Sequence, residues 1–193
     1  MQDEQEIALC TSCGMCCKGA WFVNIKIAKD ELAKVTQTTK LKPYSKRGNL
    51  FSPQPCPELS ENGCSVYDSR PIDCHDYECK LLKSLKSSNK QLCECLSDVS
   101  QLKHKYGQVS ELLRAQATSP SIKTFNLRAE LGMFLNSIKT KLQSSNDIDE
   151  IPTRAQIIQI HDYLKLVNDK FRETKLLAQI IEIMALIWLK KLR

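Results

Sequence analysis

Apolar residues recur at three- and four-residue steps through most of the chain after residue 96. This spacing places them on one face of an α-helix, so it predicts amphipathic helices that bury that face. Polar residues at 143–152 predict a loop between two of these helices, and Thr153 is the expected cap of the helix that follows. The pattern therefore predicts a region of three or four helices. The predicted segments are Leu102–Leu113, Ile122–Leu142, Thr153–Phe171 and residues from about 173 to 191.

Short, mixed patterns fill the first 95 residues instead. Trp21–Ile27 is aromatic and β-branched, which is typical of a short strand, and a second short strand is expected at Asn49–Phe51. Asp30 is the expected cap of a short helix. Glu61-Asn62-Gly63 suits a hairpin turn because Asn-Gly tolerates positive φ, and Cys64–Tyr67 would be the return strand.

A further helix is expected to start at Ser69-Arg70-Pro71, with Ser69 or Arg70 as its cap. Cys74 and Cys79 on that helix would be separated by about 140° of net rotation. They do not share one face, so a helix break near 76–78 is expected if both bind one metal.

These patterns predict a mainly α fold with small β elements (α+β). A cysteine-rich module over residues 1–95 is expected to precede a helical region over residues 96–193. The length of 193 residues suits one domain or two small ones.

The net charge of +6 is uneven along the chain. Residues 1–95 have 13 basic and 12 acidic residues, whereas residues 96–193 have 15 and 10. We interpret this surplus of basic residues mainly as an ordinary solvated surface. A protein partner or substrate is expected to bind through the helical region, and nucleic acid is not expected to bind.

The longest apolar run, Leu176–Leu189, is interrupted by Gln179 and Glu182. It falls short of the roughly 18 uncharged residues that a membrane span needs. We expect a buried C-terminal helix with Trp188 in the core, and no membrane span.

Ten cysteines lie before residue 96, and their even number would permit a disulfide framework in an exported protein. The acidic start M-Q-D-E-Q-E-I-A-L does not resemble an export signal. We therefore expect a reducing, cytoplasmic location, where clustered thiols serve more often as metal ligands than as disulfides.

The densest cysteine motif is Cys10–Cys17, which reads C-T-S-C-G-M-C-C. Thiolates at two-residue gaps converge on one metal through a tight turn. Neighbouring side chains diverge, so Cys16 and Cys17 are not expected to serve the same centre. The motif must then recruit cysteines from further along the chain.

The string C-x2-C-x2-C-C, followed by C-P and by G-C-S-V-Y-D-S-R-P-I-D-C with a final cysteine five residues on, resembles the YkgJ-type cysteine-cluster family. The resemblance covers about residues 8–82. It implies a zinc- or iron-chelating domain related to flagellin lysine-N-methylases, with methyl transfer to lysine as one role. His75 stands where the family usually has Arg. The implied metal ligands are Cys10, Cys13, Cys16, Cys17, Cys56, Cys64, Cys74 and Cys79.

Eight thiols suffice for two four-cysteine centres or for one cluster with spare ligands. The diverging doublet gives one partition: Cys10, Cys13, Cys16 and Cys56 in one set, and Cys17, Cys64, Cys74 and Cys79 in the other. The first set has the C-x2-C-x2-C and remote C-P pattern of bacterial [4Fe–4S] sites. Zinc also takes four thiolates. We expect an iron–sulfur cluster, with zinc as the alternative.

Tyr67 and Arg70 are the candidate cofactor-binding residues. A guanidinium offers five donors, so Arg70 could donate to cluster sulfurs or to a bound anion. The alternative is a salt bridge from Arg70 to Asp68 or Asp73 that pins the turn.

The remaining candidates are weaker. His75 could bind metal, carry a proton or simply lie at the surface. His104 and His161 are expected to be structural or exposed, and Cys93 and Cys95 to be free thiols, with an accessory ligand as the alternative.

The sequence thus predicts a metal-binding protein that supports methyl transfer or redox chemistry, and it assigns no catalytic residue. Two alternatives stay open: a non-catalytic, zinc-stabilised interaction module, and a metal-trafficking protein.

Overall fold

The computed structural model describes residues 2–116, 125–144 and 152–191. The fold is α+β, as predicted, with small antiparallel sheets and a helical C-terminal region. The described helices are α1 Gln2–Cys13, α2 Leu32–Thr38, α3 Ile72–Asp76, α4 Lys80–Lys86, α5 Leu92–Gln116, α6 Leu127–Ser144, α7 Arg154–Leu166 and α8 Lys175–Lys191. The strands are β1 Asn24–Ile27, β2 Tyr44–Lys46, β3 Asn49–Pro53, β4 Leu59–Ser60 and β5 Gly63–Cys64.

Backbone contacts divide the chain into two compact units. The first unit comprises Met1–Val99 and Ile122–Arg128, and the second comprises Ser100–Ser121 and Ala129–Arg193. All eight cysteines of the motif pattern lie in the first unit. No helix within the described ranges combines enough length and apolar character to span a bilayer, which agrees with the sequence prediction.

The first sheet has the antiparallel order β1-β3-β2. Ile25 and Ile27 of β1 point to one face, where they form a small core with Val35 and Leu41. The predicted strands near Trp21–Ile27 and Asn49–Phe51 are therefore present, as β1 and β3. The sequence missed β2, a short strand that pairs with β3.

The predicted hairpin forms between β4 and β5, with Leu59 opposite Cys64. Gly63 has φ +98°, and a Cβ there would lie 2.8 Å from the Cβ of Thr11 on α1. Glycine at this position thus lets the hairpin approach α1. The predicted return strand through Tyr67 was too long, because β5 ends at Cys64 and Tyr67–Ser69 is a 3-10 turn.

The helix break expected near 76–78 is present. α3 ends at Asp76, Tyr77 is extended, and α4 begins at Lys80. Pro71 precedes α3 as its cap, so the prediction of Ser69 or Arg70 was wrong. Glu31, rather than Asp30, likewise precedes α2.

In the second unit, Thr153 caps α7 as predicted. Its side chain accepts the Gln156 N–H, and the Gln156 side chain accepts the Thr153 N–H, which completes a capping box. α7 continues as a π-helical turn to Phe171, and then α8 packs against α7. The start of the helix expected from Ile122 lies outside the described residues up to residue 124.

Trp188 is 63% exposed, so its prediction as a core residue was wrong. The buried face of α8 carries Leu176, Ile180 and Ile183. Trp188 follows Ile183 by five residues, or about 140° of rotation, and therefore leaves that face.

Candidate metal centre

The Cys10–Cys17 motif spans the end of α1 and the turn after it. Cys10 and Cys13 lie in the last turns of α1, and the Gly14 N–H donates to the Cys10 carbonyl at 3.0 Å. Gly14 has φ +63°, which lets the chain leave the helix and places Cys16 and Cys17 beyond it. All eight cysteines of the pattern are free and half-buried.

Three thiols of the motif and one from α4 form a first group. Burial raises the pKa of Cys16 well above its ordinary value, and negative charge on Cys13, Cys79 and Cys10 raises it further. Burial also raises the pKa of Cys79, to which charge on Cys10 adds. Because the interaction of two charges weakens with distance, these effects associate the four thiols with one another. The first thiol group is Cys10, Cys13, Cys16 and Cys79.

The other four thiols form a second group around Cys56. The Cys17 thiol donates a hydrogen bond to Cys56, which raises the pKa of Cys17 and lowers that of Cys56 to about 7. Burial raises the pKa of Cys74 to about 12, with contributions from Cys56 and Cys64. Burial, with added charge from Cys56, raises the pKa of Cys64. The second thiol group is Cys17, Cys56, Cys64 and Cys74.

These two groups differ from the partition proposed from the sequence by exchanging Cys56 and Cys79. Cys79 precedes α4, which packs against α1, and the Leu82 N–H donates to its sulfur at 3.4 Å. The Cys56 N–H instead donates to the Cys17 carbonyl at 2.7 Å. Charge on Cys16 also raises the pKa of Cys17, so the adjacent thiols affect each other, but the other effects on each come from different cysteines.

The chemistry of the donor set fits zinc or iron. Both metals bind thiolates, and a cation offsets the cost of gathering buried negative charge. Among the residues that the structure describes, no three His, Cys, Asp or Glu side chains already have an arrangement that could hold a metal ion. The groups therefore bring thiols near each other without finished coordination geometry.

Tyr67 and Arg70 lie beside these thiols. The Arg70 guanidinium carbon is 4.0 Å from the centre of the Tyr67 ring. The Tyr67 side chain is hydrogen-bonded to Cys10, and the charge of Arg70 lowers the pKa of Cys10, Cys64 and Cys74 against the larger effect of burial. Both residues thus interact with thiols of the pattern, and their role in binding a cofactor stays a prediction.

The alternative salt bridge of Arg70 with Asp68 or Asp73 is not formed in the described structure. The Asp73 carboxylate accepts the Lys26 N–H at 2.9 Å instead, and joins α3 to β1. The Nε of Arg70 is buried and has no hydrogen-bond partner among the described residues.

Sequence reasoning missed Glu58, a carboxylate that is only 4% exposed. It accepts hydrogen bonds from the Ser65 hydroxyl at 2.5 Å and from the Lys40 N–H, and both lower its pKa. Its charge adds to the raised pKa of Cys64. The one feature of the sequence that pointed to Glu58 as a site residue was its position two residues after Cys56.

The remaining candidates differ in their exposure. His75 is exposed, with Nδ1 3.0 Å from the Asp76 carboxylate. Cys93 is exposed and Cys95 buried, and both thiols are free. His104 is exposed and His161 half-buried, as expected for residues without a ligand role.

No curated protein and no solved structure matches this chain. Residues 9–108, more than half of the chain, match the model of one family, described as a putative zinc- or iron-chelating domain. The match includes both thiol groups, Tyr67 and Arg70. The chain belongs to the CxxCxxCC family.

Proposed function

We propose that this chain binds metal at two four-cysteine centres, one formed by each thiol group. The observation that carries the proposal is the division of eight free thiols into two sets of four at the Cys16–Cys17 doublet. Four thiolates complete a tetrahedral zinc site or ligate a [4Fe–4S] cluster. Membership of a zinc- or iron-chelating family supports the same conclusion.

The first thiol group is the candidate iron–sulfur site. Cys10, Cys13 and Cys16 keep the C-x2-C-x2-C spacing of [4Fe–4S] ligands, and Cys79 supplies the remote fourth thiol. Cys56-Pro57, which resembles the remote C-P of ferredoxins, falls in the second group instead. The similarity to ferredoxin ligands therefore supports iron only through the C-x2-C-x2-C spacing of the first group.

The second thiol group is the candidate structural site. Cys56 and Cys74 pack against a core of four buried residues: Ile25, Ile27, Val35 and Leu41. This cluster is small, although the first unit also buries other apolar side chains such as Met15, Trp21 and Leu81. A structural metal would contribute folding energy directly. This observation favours the second candidate function, in which zinc stabilises the module and the chain acts by recruiting a partner.

Elemental analysis of anaerobically purified protein tests the proposal. We expect two metal-binding centres per chain, with iron and sulfide and a brown absorption band if the first group holds a cluster. A colourless protein with about two zinc ions per chain would contradict the iron–sulfur cluster and support the zinc-stabilised module instead. Protein that holds no metal would overturn both. Cys93→Ser is the matched control, because Cys93 is exposed and outside both groups.

Methyl transfer and redox chemistry are the finer proposals. Methyl transfer is supported by the resemblance of residues 8–82 to flagellin lysine-N-methylases, and it would require a methyl donor and a protein substrate to bind here. Redox chemistry requires a cluster that reversibly loses its colour on reduction. A reducing, cytoplasmic location would suit either centre, since clustered thiols remain ligands there.

A further inference from the structure

Arg70 lies in the chain between Cys64 and Cys74, two thiols of the second group. It has extended backbone between the 3-10 turn Tyr67–Ser69 and α3. Cys64 precedes it and Cys74 follows it, and its charge acts on both of these thiols and on Cys10. The positive charge of Arg70 therefore acts on members of both groups.

Tyr67 holds this guanidinium in place. The Arg70 guanidinium carbon is 4.0 Å from the centre of the Tyr67 ring, at the distance of a cation–π contact. The Tyr67 side chain is also hydrogen-bonded to Cys10 of the first group. The aromatic ring thus links the position of the cation to the first thiol group.

Arg70 has a donor that the protein itself does not use. Its Nε is buried and lacks a hydrogen-bond partner within the described residues. Leaving a buried donor unpaired is unfavourable, so such an atom calls for an acceptor. The carboxylate of Asp73 is engaged with the Lys26 N–H, and the Tyr67 hydroxyl is already hydrogen-bonded to Arg70. The thiols of Cys10 and Cys64 are further acceptors on which the charge of Arg70 acts.

We propose that Arg70 is a positioning residue shared by both metal centres, which donates hydrogen bonds to metal-bound sulfur while Tyr67 holds it against the first thiol group. The inference rests on the proposed function, because metal binding is what would hold these sulfurs deprotonated and fixed in place. Donors to ligand atoms orient the ligands, and removing such a donor typically costs about 10–100-fold in metal affinity.

The test measures metal affinity in each group separately. Cys16→Ser and Cys17→Ser each disable one group and leave the other for titration. In both backgrounds, zinc is titrated against a chromophoric chelator, and cobalt(II) absorption reports thiolate coordination. Arg70→Gln, Arg70→Lys and Tyr67→Phe are compared with Arg47→Gln, which removes one exposed positive charge at the β2–β3 turn of the same unit.

We expect Arg70→Gln to weaken zinc binding about 10–100-fold in both backgrounds. Arg70→Lys should recover part of that loss, because lysine keeps the charge without the planar set of donors. Tyr67→Phe should weaken zinc binding by the first group alone. Arg47→Gln should leave the zinc affinity of both groups unchanged. Circular dichroism of Arg70→Lys checks that the fold is retained.

Failure of the proposed function and failure of the role of Arg70 give different results in these titrations. Wild-type protein that binds fewer than two cobalt ions per chain would overturn the proposed function itself. Two bound ions with equal affinities in Arg70→Gln and Arg47→Gln would overturn the role of Arg70 alone. Weakening confined to one group would show that Arg70 is not shared.

Discussion

Cys17 and Cys56 are joined twice, although 38 positions separate them in the chain. The Cys17 thiol donates to the Cys56 sulfur, and the Cys56 N–H donates to the Cys17 carbonyl at 2.7 Å. The thiol hydrogen bond favours the thiolate of Cys56 and the protonated form of Cys17. The pair therefore places a low-pKa thiol in the second thiol group.

Cys56 should be the most reactive of the eight half-buried thiols of the pattern in reduced, metal-free protein. Its pKa of about 7 makes the nucleophilic thiolate available at neutral pH, whereas the pKa of Cys74 is about 12. Iodoacetamide alkylation followed by peptide mass spectrometry should show a rate at Cys56 that is half-maximal near pH 7. In Cys17→Ala that midpoint should rise toward 9.0, the ordinary thiol value, because the donor is gone. An unchanged midpoint would contradict the role of the hydrogen bond.

Paired serine variants should assign Cys79 and Cys56 to their groups. Cys16→Ser with Cys79→Ser should lose the metal of one centre only, like Cys16→Ser alone, because both thiols lie in the first group. Cys16→Ser with Cys56→Ser should lose both. Metal per chain by elemental analysis is the measurement, with Cys93→Ser as control. Loss of both metals in Cys16→Ser with Cys79→Ser, and of one metal in Cys16→Ser with Cys56→Ser, would support the partition inferred from the sequence.

Gly63→Ala should destabilise the first unit more than Gly48→Ala does. Both glycines have positive φ, so each substitution carries the left-handed backbone cost of about 1–2 kcal/mol. At Gly63 the new Cβ would also lie 2.8 Å from the Thr11 Cβ, whereas nothing lies within 4 Å at Gly48. Urea unfolding should show an additional loss of roughly 1–3 kcal/mol for Gly63→Ala. Equal losses would mean that the hairpin moves away from α1 without cost.

Asn126→Ala should loosen the connection between residues 125–128 and the cysteine-rich part of the first unit. The buried Asn126 amide donates to the Phe22 carbonyl at 2.9 Å and to the Gln54 carbonyl at 3.0 Å. Removing it leaves two acceptors unpaired and should cost about 1–3 kcal/mol. Urea unfolding measures this loss, and hydrogen exchange should increase around residues 22 and 54.

The exposed Asn136 provides the matched control for that variant. Asn136→Ala should change the free energy of unfolding by less than about 0.5 kcal/mol, since its side chain makes one weak contact with Gln179 at 3.4 Å. A comparable loss in both variants would refute a specific role for Asn126.

Local features were predictable wherever the physical cause was itself local. Apolar periodicity identified the helices of the second unit, and Thr153 was identified as a cap because its partner Gln156 is three residues away. The turn before Cys64 followed from Asn-Gly. The break after Asp76 is present, but the condition under which it was expected does not hold in the two groups, because Cys74 and Cys79 lie in different ones. Each of these depends on residues within one or two turns of chain.

The cysteine motifs supplied the number of thiols, and they predicted a division at the Cys16–Cys17 doublet and a cofactor-binding role for Tyr67 and Arg70. The sequence by itself did not determine which distant thiol joins which group. The packing of α4 against α1 brings Cys79 to the first group, and the hydrogen bond to the Cys17 carbonyl holds Cys56 in the second. Contacts between residues tens of positions apart leave no periodic or spacing signal in the sequence. Only the tertiary structure could therefore decide the composition of the two groups.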